Sequence, residues 1–226
     1  MKINRTITAL ALLGLGMGAA QAGPTFCSIA GDPNPDGLST SDMSWQGSNS
    51  ADCYGVAEQK THFDNFSSDS IQTMLNTGAV SMEWGSGWTF LVKDDGDVES
   101  ENFMGVDFQL DADIGDKSGS WTLSWSGSGL PLTLDLVGTL GGGSKLAAYL
   151  FEGVNFLNDP AQGTGSFEIS FTNPGNANPE LSNLNLFGRA TDELRPPAEI
   201  PTPAPLALLG LGLVGMYLLR NRKQAL

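Results

Sequence analysis

The sequence has few of the residues from which catalytic and metal sites are most often built. Its 226 residues include one histidine and two cysteines. A single histidine excludes the usual zinc and copper sites, which need several imidazole ligands. That residue, His62, lies in a polar stretch without a Gly-x-Ser-x-Gly nucleophile motif nearby, so we expect it to be dispensable. We therefore expect no catalysis and no cofactor.

Cations are also scarce, with 11 Lys and Arg against 25 Asp and Glu. Five of these cations, and none of the acids, lie in the two terminal segments: Lys2, Arg5, Arg220, Arg222 and Lys223. Residues 23–200 therefore hold six cations and 25 acids, a net charge of −19. Because such a domain is repelled by phosphate backbones, nucleic acid is excluded as a partner. A solvated acidic surface is the simplest interpretation of the charge.

Two acidic clusters contain potential oxygen ligands for Ca²⁺. They are residues 94–101 (DDGDVESE) and residues 111–116 (DADIGD). Neither has the alternate acids, central glycine and final bidentate glutamate of the twelve-residue EF-hand loop. The sequence favours solvated loop tips and leaves calcium binding open. It also selects no pair of carboxylates that would predict a glycosidase.

The first residues have the organisation of a secretory signal peptide. Lys2 and Arg5 precede a short uncharged apolar stretch, and Ala20-Gln21-Ala22 places small residues at the −3 and −1 positions. A buried N-terminal helix is the competing interpretation, but the glycines of the stretch and Pro24 after it make a poor helix interior. We predict cleavage after Ala22 and export of the chain.

The two cysteines, Cys27 and Cys53, follow this signal closely. In an exported chain an even pair of cysteines is most simply a disulfide. Two free thiols are the alternative. Closing a loop of this length stabilises a fold by about 3–4 kcal/mol on the chain-entropy argument.

Several segments after about Val80 have the sequence pattern of β-strands. Period-two alternation, the pattern of a strand with one buried and one solvated face, occurs in residues 120–126, 131–137 and 166–171. More continuous apolar runs predict central strands at residues 146–151 and 181–187. Residues 83–93 and 103–110 are two earlier candidates. Gly, Asn and Asp lie in the breaks, which is typical of an all-β antiparallel sandwich or jelly roll.

The chain divides into four parts. A signal helix occupies residues 1–22, and an acidic β-sandwich domain occupies residues 23–190, with a loop-rich start over residues 23–50. Residues 191–203 form a proline-containing linker, and residues 204–226 form an apolar helix with a basic end. Within the domain, one short helix is expected at residues 69–76, and no other segment has a helical stripe.

Five tryptophans raise the possibility of carbohydrate binding, because flat rings stack on sugars. Trp121 and Trp125 alternate with Leu123, a pattern that favours the core. Trp84 and Trp88 are separated only by Gly-Ser-Gly, so they are the candidates for carbohydrate contact, with core or rim as the favoured alternative.

The C-terminal segment combines prolines, an apolar run and cations. Ala204 to Leu219 is uncharged and spans about 24 Å as a helix, against about 30 Å of hydrocarbon. Its glycines weaken it further. The stop-transfer cations Arg220, Arg222 and Lys223 keep the end cytoplasmic while the domain is outside. We expect a transient anchor in the inner membrane, with a permanent single-pass anchor as the alternative.

This tail resembles the PEP-CTERM sorting signal of Gram-negative bacteria. The motif maps onto Pro201, Thr202 and Pro203, followed by the apolar run and the arginines, with Thr202 where the family usually has glutamate. The resemblance implies processing by an exosortase-type membrane enzyme and association with exopolysaccharide and biofilm. Four further segments are similar to landmarks of proteins that carry such tails: residues 51–55, 145–151, 163–165 and 181–187.

These observations favour an exported, non-enzymatic β-sandwich protein of the cell surface or extracellular matrix, sorted through its tail. The main alternative is a lectin-like module that binds polysaccharide through exposed tryptophans. A polysaccharide-active hydrolase ranks third.

Overall fold

Two antiparallel β-sheets make up most of the structure. This computed structural model describes residues 25–30, 37–58, 67–173 and 176–191. In that part of the chain the strands are β1 (Thr25–Phe26), β2 (Met43–Trp45), β3 (Ser48–Asn49), β4 (Asp52–Glu58), β5 (Thr89–Asp94), β6 (Val98–Ser100), β7 (Val106–Ala112), β8 (Ser118–Gly127), β9 (Leu132–Gly142), β10 (Lys145–Phe156), β11 (Gln162–Glu168) and β12 (Asn183–Ala190). The helical segments there are α1 (Cys27–Ala30), a 3-10 helix (Thr40–Asp42), α2 (Ser68–Leu75) and α3 (Gly78–Trp84).

The two sheets differ in size and share one core. The larger has seven strands in the order β1-β4-β10-β9-β12-β5-β6, and the smaller has five in the order β3-β2-β11-β8-β7. Buried side chains from both sheets form a single cluster, which includes Leu136 and Tyr149 of the larger sheet and Phe108 and Leu123 of the smaller. The predicted all-β class with sandwich-like sheets is therefore confirmed.

Alternation in the sequence corresponds to one buried face in the five-stranded sheet. Strand β8 buries Trp121, Leu123 and Trp125 and turns hydroxyl side chains to the other face. Strand β7 does the same with Val106, Phe108 and Leu110. The outer face of this sheet is consequently polar and uncovered by helices in the described part of the chain.

The seven-stranded sheet is buried on both faces. Helices α2 and α3 cover its outer face, where Ile71, Leu75 and Val80 pack against Val137 and Phe187 of the sheet. This explains the continuous apolar runs, because a strand covered on both sides needs no polar face. The prediction of central strands at residues 146–151 and 181–187 is confirmed in β10 and β12, although β12 begins at Asn183.

The sequence predicted α2 but not α3. Ser67 caps α2 by accepting a hydrogen bond from the Ser70 amide, close to the expected start at residue 69. Residues 83–93, expected to form one strand, instead contain the end of α3, a turn and then β5. Only Val80 and Trp84 of α3 are buried, and a stripe of two residues gives too weak a helical pattern to recognise.

The other strand boundaries differ in detail from the prediction. Strand β11 ends at Glu168, so Ile169 and Phe171 are buried outside a strand. The start of the domain, expected to be loop-rich, contains short strands and helical turns. Among the described residues, no helix is long and apolar enough to cross a membrane. The predicted signal and C-terminal helices lie outside those residues.

One arginine attaches the segment after α3 to the sheet. Arg189 of β12 makes a 2.7 Å ion pair with Asp135 of β9, and its guanidinium donates to the carbonyl of Trp84. Its guanidinium carbon lies 4.2 Å from the centroid of the Trp88 ring, a cation–π contact. The side chain is almost wholly buried, so these contacts replace most of its hydration, while its Nε has no hydrogen-bond partner among the described residues.

We predict that Arg189→Ala lowers the free energy of unfolding by about 3–5 kcal/mol, because Asp135 loses its cation and a carbonyl loses its donor. Arg189→Lys should recover only part of this loss, since lysine cannot serve several acceptors from one plane. Urea unfolding of the variants measures both effects. Exposed Lys117→Ala is the control and should change the value by less than about 0.5 kcal/mol. An Arg189→Ala midpoint equal to that of the wild type would contradict this assignment.

Candidate functional site

Most residues that the sequence assigns to sorting lie outside the described part of the chain. These are Ala22 of the signal cleavage site, the motif Pro201, Thr202 and Pro203, and the cations Arg220, Arg222 and Lys223. His62 lies outside it as well. Their roles stay predictions.

The predicted disulfide between Cys27 and Cys53 is confirmed. It joins α1 to β4 with a Cα–Cα distance of 5.1 Å across a sequence separation of 26 residues. Asp52, beside Cys53, accepts hydrogen bonds from the Ser28 amide at 3.0 Å and from the indole of Trp84 at 3.0 Å. The disulfide therefore holds the first described residues against the seven-stranded sheet, at the point where Trp84 of α3 also packs.

The structure places Trp84 and Trp88 in the core rather than on a sugar-binding surface. Trp84 is 6% exposed and donates its indole N–H to Asp52, while Trp88 is 1% exposed and donates to the carbonyl of Gly85. The Arg189 guanidinium lies over the Trp88 ring. Carbohydrate contact by this pair does not fit these positions, because a stacking sugar needs a free ring face. The core interpretation is the one that the structure supports.

The other three tryptophans are buried between the sheets. Trp45 and Trp121 stack with ring centroids 4.8 Å apart, and Trp125 contacts Phe156 edge-on. The backbone of β11 passes directly beside this stack at Gly163 and Gly165, where a Cβ atom would meet a tryptophan ring. The Gly-Thr-Gly segment is thus explained by close packing of aromatic rings. None of the five tryptophans offers an exposed platform.

The first acidic cluster, residues 94–101, is only partly the solvated loop tip that the sequence predicted. Residues 95–101 are exposed as predicted, but Asp94 is buried and accepts hydrogen bonds from the amides of Gly96 and Ala112, each at 2.9 Å. The description of Asp94 as part of a solvated tip is wrong, because its carboxylate links the turn after β5 to β7 of the other sheet. No group of three or more metal-ligating side chains occurs among the described residues.

A buried acid that the sequence did not reveal lies at the 3-10 helix. Oδ2 of Asp42 accepts hydrogen bonds from the Ser39 amide at 2.9 Å, the Ser170 hydroxyl at 2.5 Å and the Tyr149 hydroxyl at 3.3 Å. Burial raises the pKa of the Asp42 carboxyl above its usual range, an effect that the bonds from Ser170, Ser39 and Tyr149 oppose. Burial, together with Asp42, also raises the pKa of Tyr149 well above its usual range.

This cluster around Asp42 has a structural role, because it links separate elements of the fold. Its donors converge on one carboxylate oxygen and join the 3-10 helix to β10 and to the segment after β11. Tyr149 is completely buried, so no substrate reaches its hydroxyl from solvent. A capping pattern at Ser39 and Asp42 is the signal by which the sequence could have indicated the acid, since each reaches the backbone of the other.

A polar groove on the five-stranded sheet is the more accessible candidate. It has a volume of about 560 Å³ and lies between β6 and the outer faces of β7, β8 and β11. Its lining includes Gln109, Asp111, Thr122, Ser124 and Gln162. Strand alternation places these side chains outward, opposite the buried core residues of the same strands. Groups of this kind bind a ligand by hydrogen bonds.

A second groove of about 440 Å³ lies at the β2–β3 hairpin and is lined by Gln46, Asn49 and Glu152, among others. Its walls are less available for a ligand than those of the first groove, because Asn155 within it already bonds to Thr133 at 2.8 Å.

Comparison of the chain with models of protein families, with curated proteins and with solved structures finds no match.

We predict that removing the disulfide with the double variant Cys27→Ala/Cys53→Ala lowers the free energy of unfolding by about 3 kcal/mol, because the unfolded chain regains the entropy of an open loop. Urea unfolding of the exported protein measures this. Reductant should move the wild type to the midpoint of the variant and leave the variant unchanged. Finding both cysteines freely alkylated in non-reduced exported protein would exclude the bond in the cell.

We predict that Asp42→Asn changes how stability depends on pH. Since the folded-state pKa of Asp42 is raised, its contribution to stability is largest at acidic pH and is lost as the pH rises through that pKa. The wild type should therefore gain stability relative to Asp42→Asn as the pH falls from neutral to acidic. Unfolding midpoints measured over this range test the sign.

Asp113→Asn provides a control of opposite sign. The amide and hydroxyl of Ser120 hydrogen-bond to the exposed Asp113 carboxylate and lower its pKa. The folded state favours the Asp113 carboxylate over the protonated acid. The wild type should therefore lose stability relative to Asp113→Asn as the pH falls and this carboxylate is protonated. If both variants changed in the same direction, the burial argument for Asp42 would be wrong.

Proposed function

We propose that this chain is an exported, non-catalytic protein of the cell surface or extracellular matrix. Its signal peptide directs export, and an exosortase-type enzyme processes its C-terminal tail at the inner membrane. The protein is then released to the surface, where it accompanies exopolysaccharide and biofilm. The finer architecture in this proposal is a jelly-roll-like domain flanked by a signal helix and a C-terminal transmembrane helix.

The disulfide is the observation that carries the proposal of export. Disulfides persist in oxidising compartments outside the cytoplasm, and Cys27–Cys53 closes the beginning of the domain onto β4. An N-terminal segment with the features of a cleaved signal precedes Cys27 directly. Both features agree with folding of the domain after translocation.

A non-catalytic role is supported by how the buried acids are used. Asp42, Asp52 and Asp94 each accept hydrogen bonds from backbone amides, and each of them joins separate elements of the fold. A general acid or base must reach a substrate, whereas these carboxylates serve donors that are fixed within the protein. Their arrangement fits structural roles.

The net charge of the domain supports a role that excludes nucleic acid. Residues 23–200 carry a net charge of −19, which keeps the domain soluble and repels polyanions. The three cations at the end of the chain instead favour the cytoplasmic side of the membrane. Tail and domain thus have charges suited to opposite sides of the inner membrane.

We predict that protein recovered from the cell surface ends near Thr202 and lacks the apolar run. Prolines expose an extended backbone to an enzyme, because they lack an amide donor and disfavour helix in the preceding residue. Intact mass of the mature protein tests this. Surface-delivered protein that still contains Arg222 and Lys223 would support the permanent anchor instead.

Variants of the linker test whether processing requires the prolines of the motif itself or only prolines somewhere in the linker. Pro201→Ala/Pro203→Ala should leave the tail attached and the protein in the inner-membrane fraction. Pro196→Ala/Pro197→Ala changes two prolines outside the motif and should be processed like the wild type. Equal processing of both double variants would show that the motif at residues 201–203 is not required for processing.

A further inference from the structure

We propose that the polar groove of the five-stranded sheet binds an uncharged polysaccharide through hydrogen bonds from side-chain amides and hydroxyls. The inference deepens the association with exopolysaccharide and rests on the proposed function only for the cellular source of the ligand.

The strand register arranges the polar side chains in rows. Gln109 of β7 lies opposite Ser124 of β8, and Gln162 of β11 lies opposite the same serine from the other side. Two residues along, Asp111 and Thr122 form the next row. Neighbouring strands are about 4.8 Å apart, and side chains on one face of a strand repeat about every 6.8 Å. The sheet therefore presents a regular lattice of hydrogen-bonding groups on a rigid support.

The chemistry of this lattice selects a class of ligand. Amides and hydroxyls both donate and accept hydrogen bonds, and the Asp111 carboxylate accepts them. Sugar hydroxyls need partners of both kinds. The described residues that line the groove include no cation and no aromatic ring, so they offer nothing to hold an anionic polymer or a flat apolar molecule. An uncharged polyhydroxylated chain is the ligand that matches.

The hydrogen-bonding capacity of the groove is unused within the described part of the chain. The side chains of Gln109, Asp111 and Gln162 make no hydrogen bond to any other described residue and are exposed. Elsewhere on the same face, polar side chains bond to each other, as Ser44 does with Ser166 at 2.7 Å. The groove thus brings several free donors and acceptors together in one place.

The shape of the groove adds a rim on one side. Strand β6 forms this wall and places the Val98 side chain, 54% exposed, beside the polar rows. A sugar ring has a C–H face as well as hydroxyl groups, and Val98 offers an apolar contact for that face. The volume of about 560 Å³ is within the range of about 300–1,000 Å³ that ligand pockets occupy.

Affinity electrophoresis of the exported protein tests this inference. Native gels contain dextran, hydroxyethylcellulose, galactomannan or xylan as uncharged probes, and alginate as the anionic probe. We expect at least one uncharged polymer to retard the wild type and alginate not to retard it. The double variant Gln109→Ala/Gln162→Ala should bind the retarding polymer about tenfold more weakly, as expected when two hydrogen bonds are lost.

Asn49→Ala, in the second groove, is the matched control and should bind like the wild type. Unfolding midpoints verify that every variant is folded. No retardation by any uncharged polymer would overturn the inference, as would retardation that survives Gln109→Ala/Gln162→Ala or that is lost in Asn49→Ala.

Sedimentation velocity without polysaccharide tests a second copy of the chain as the occupant. We expect identical sedimentation of the wild type and Gln109→Ala/Gln162→Ala. A dimer that this variant dissociates would overturn the inference and assign the face to self-association. None of these measurements depends on the mass of the mature protein, so failure of glycan binding and failure of tail processing are separate results.

Discussion

The docking of Trp84 on the outer face of the seven-stranded sheet joins α3 to three strands of that sheet. Its indole donates to Asp52, and its ring packs against Phe26 and Tyr54 with centroid distances of 5.5 and 6.3 Å. Its carbonyl accepts from Arg189. One residue at the end of α3 thereby contacts β1, β4 and β12, and holds the helix pair over the sheet. The burial of apolar side chains on both faces depends on this cover.

The same cover imposes partners on the charged groups beneath it. A carboxylate or guanidinium removed from water must be paired, since an isolated buried charge is strongly destabilising. Asp52 meets this requirement with donors from α1, β4 and α3, and Arg189 meets it with Asp135 and two carbonyls. The disulfide lies beside Asp52, so covalent and hydrogen-bonded links reinforce the same junction.

The two sheets differ in their outer faces: that of the larger sheet contributes to stability, and that of the smaller sheet is available for binding. Helices cover the larger sheet, and its outer face contributes apolar contacts. The outer face of the smaller sheet is free of helices in the described part of the chain, and its strands keep polar side chains there at every second position. A rigid β-sheet with a solvated polar face can hold hydrogen-bonding groups at fixed spacings without rearrangement on binding. This asymmetry locates the candidate site.

The sequence by itself determined strands such as β8, because alternation at Trp121, Leu123 and Trp125 is a local consequence of one buried face. It also determined the disulfide, since the chain has only two cysteines. The tertiary structure decided that no tryptophan is exposed, because Trp84 and Trp88 are buried by distant partners that no local pattern shows. It likewise decided that Asp94 and Asp42 are buried and that Gln109, Ser124 and Gln162 form one row, since these relations come from pairing between strands far apart in the chain.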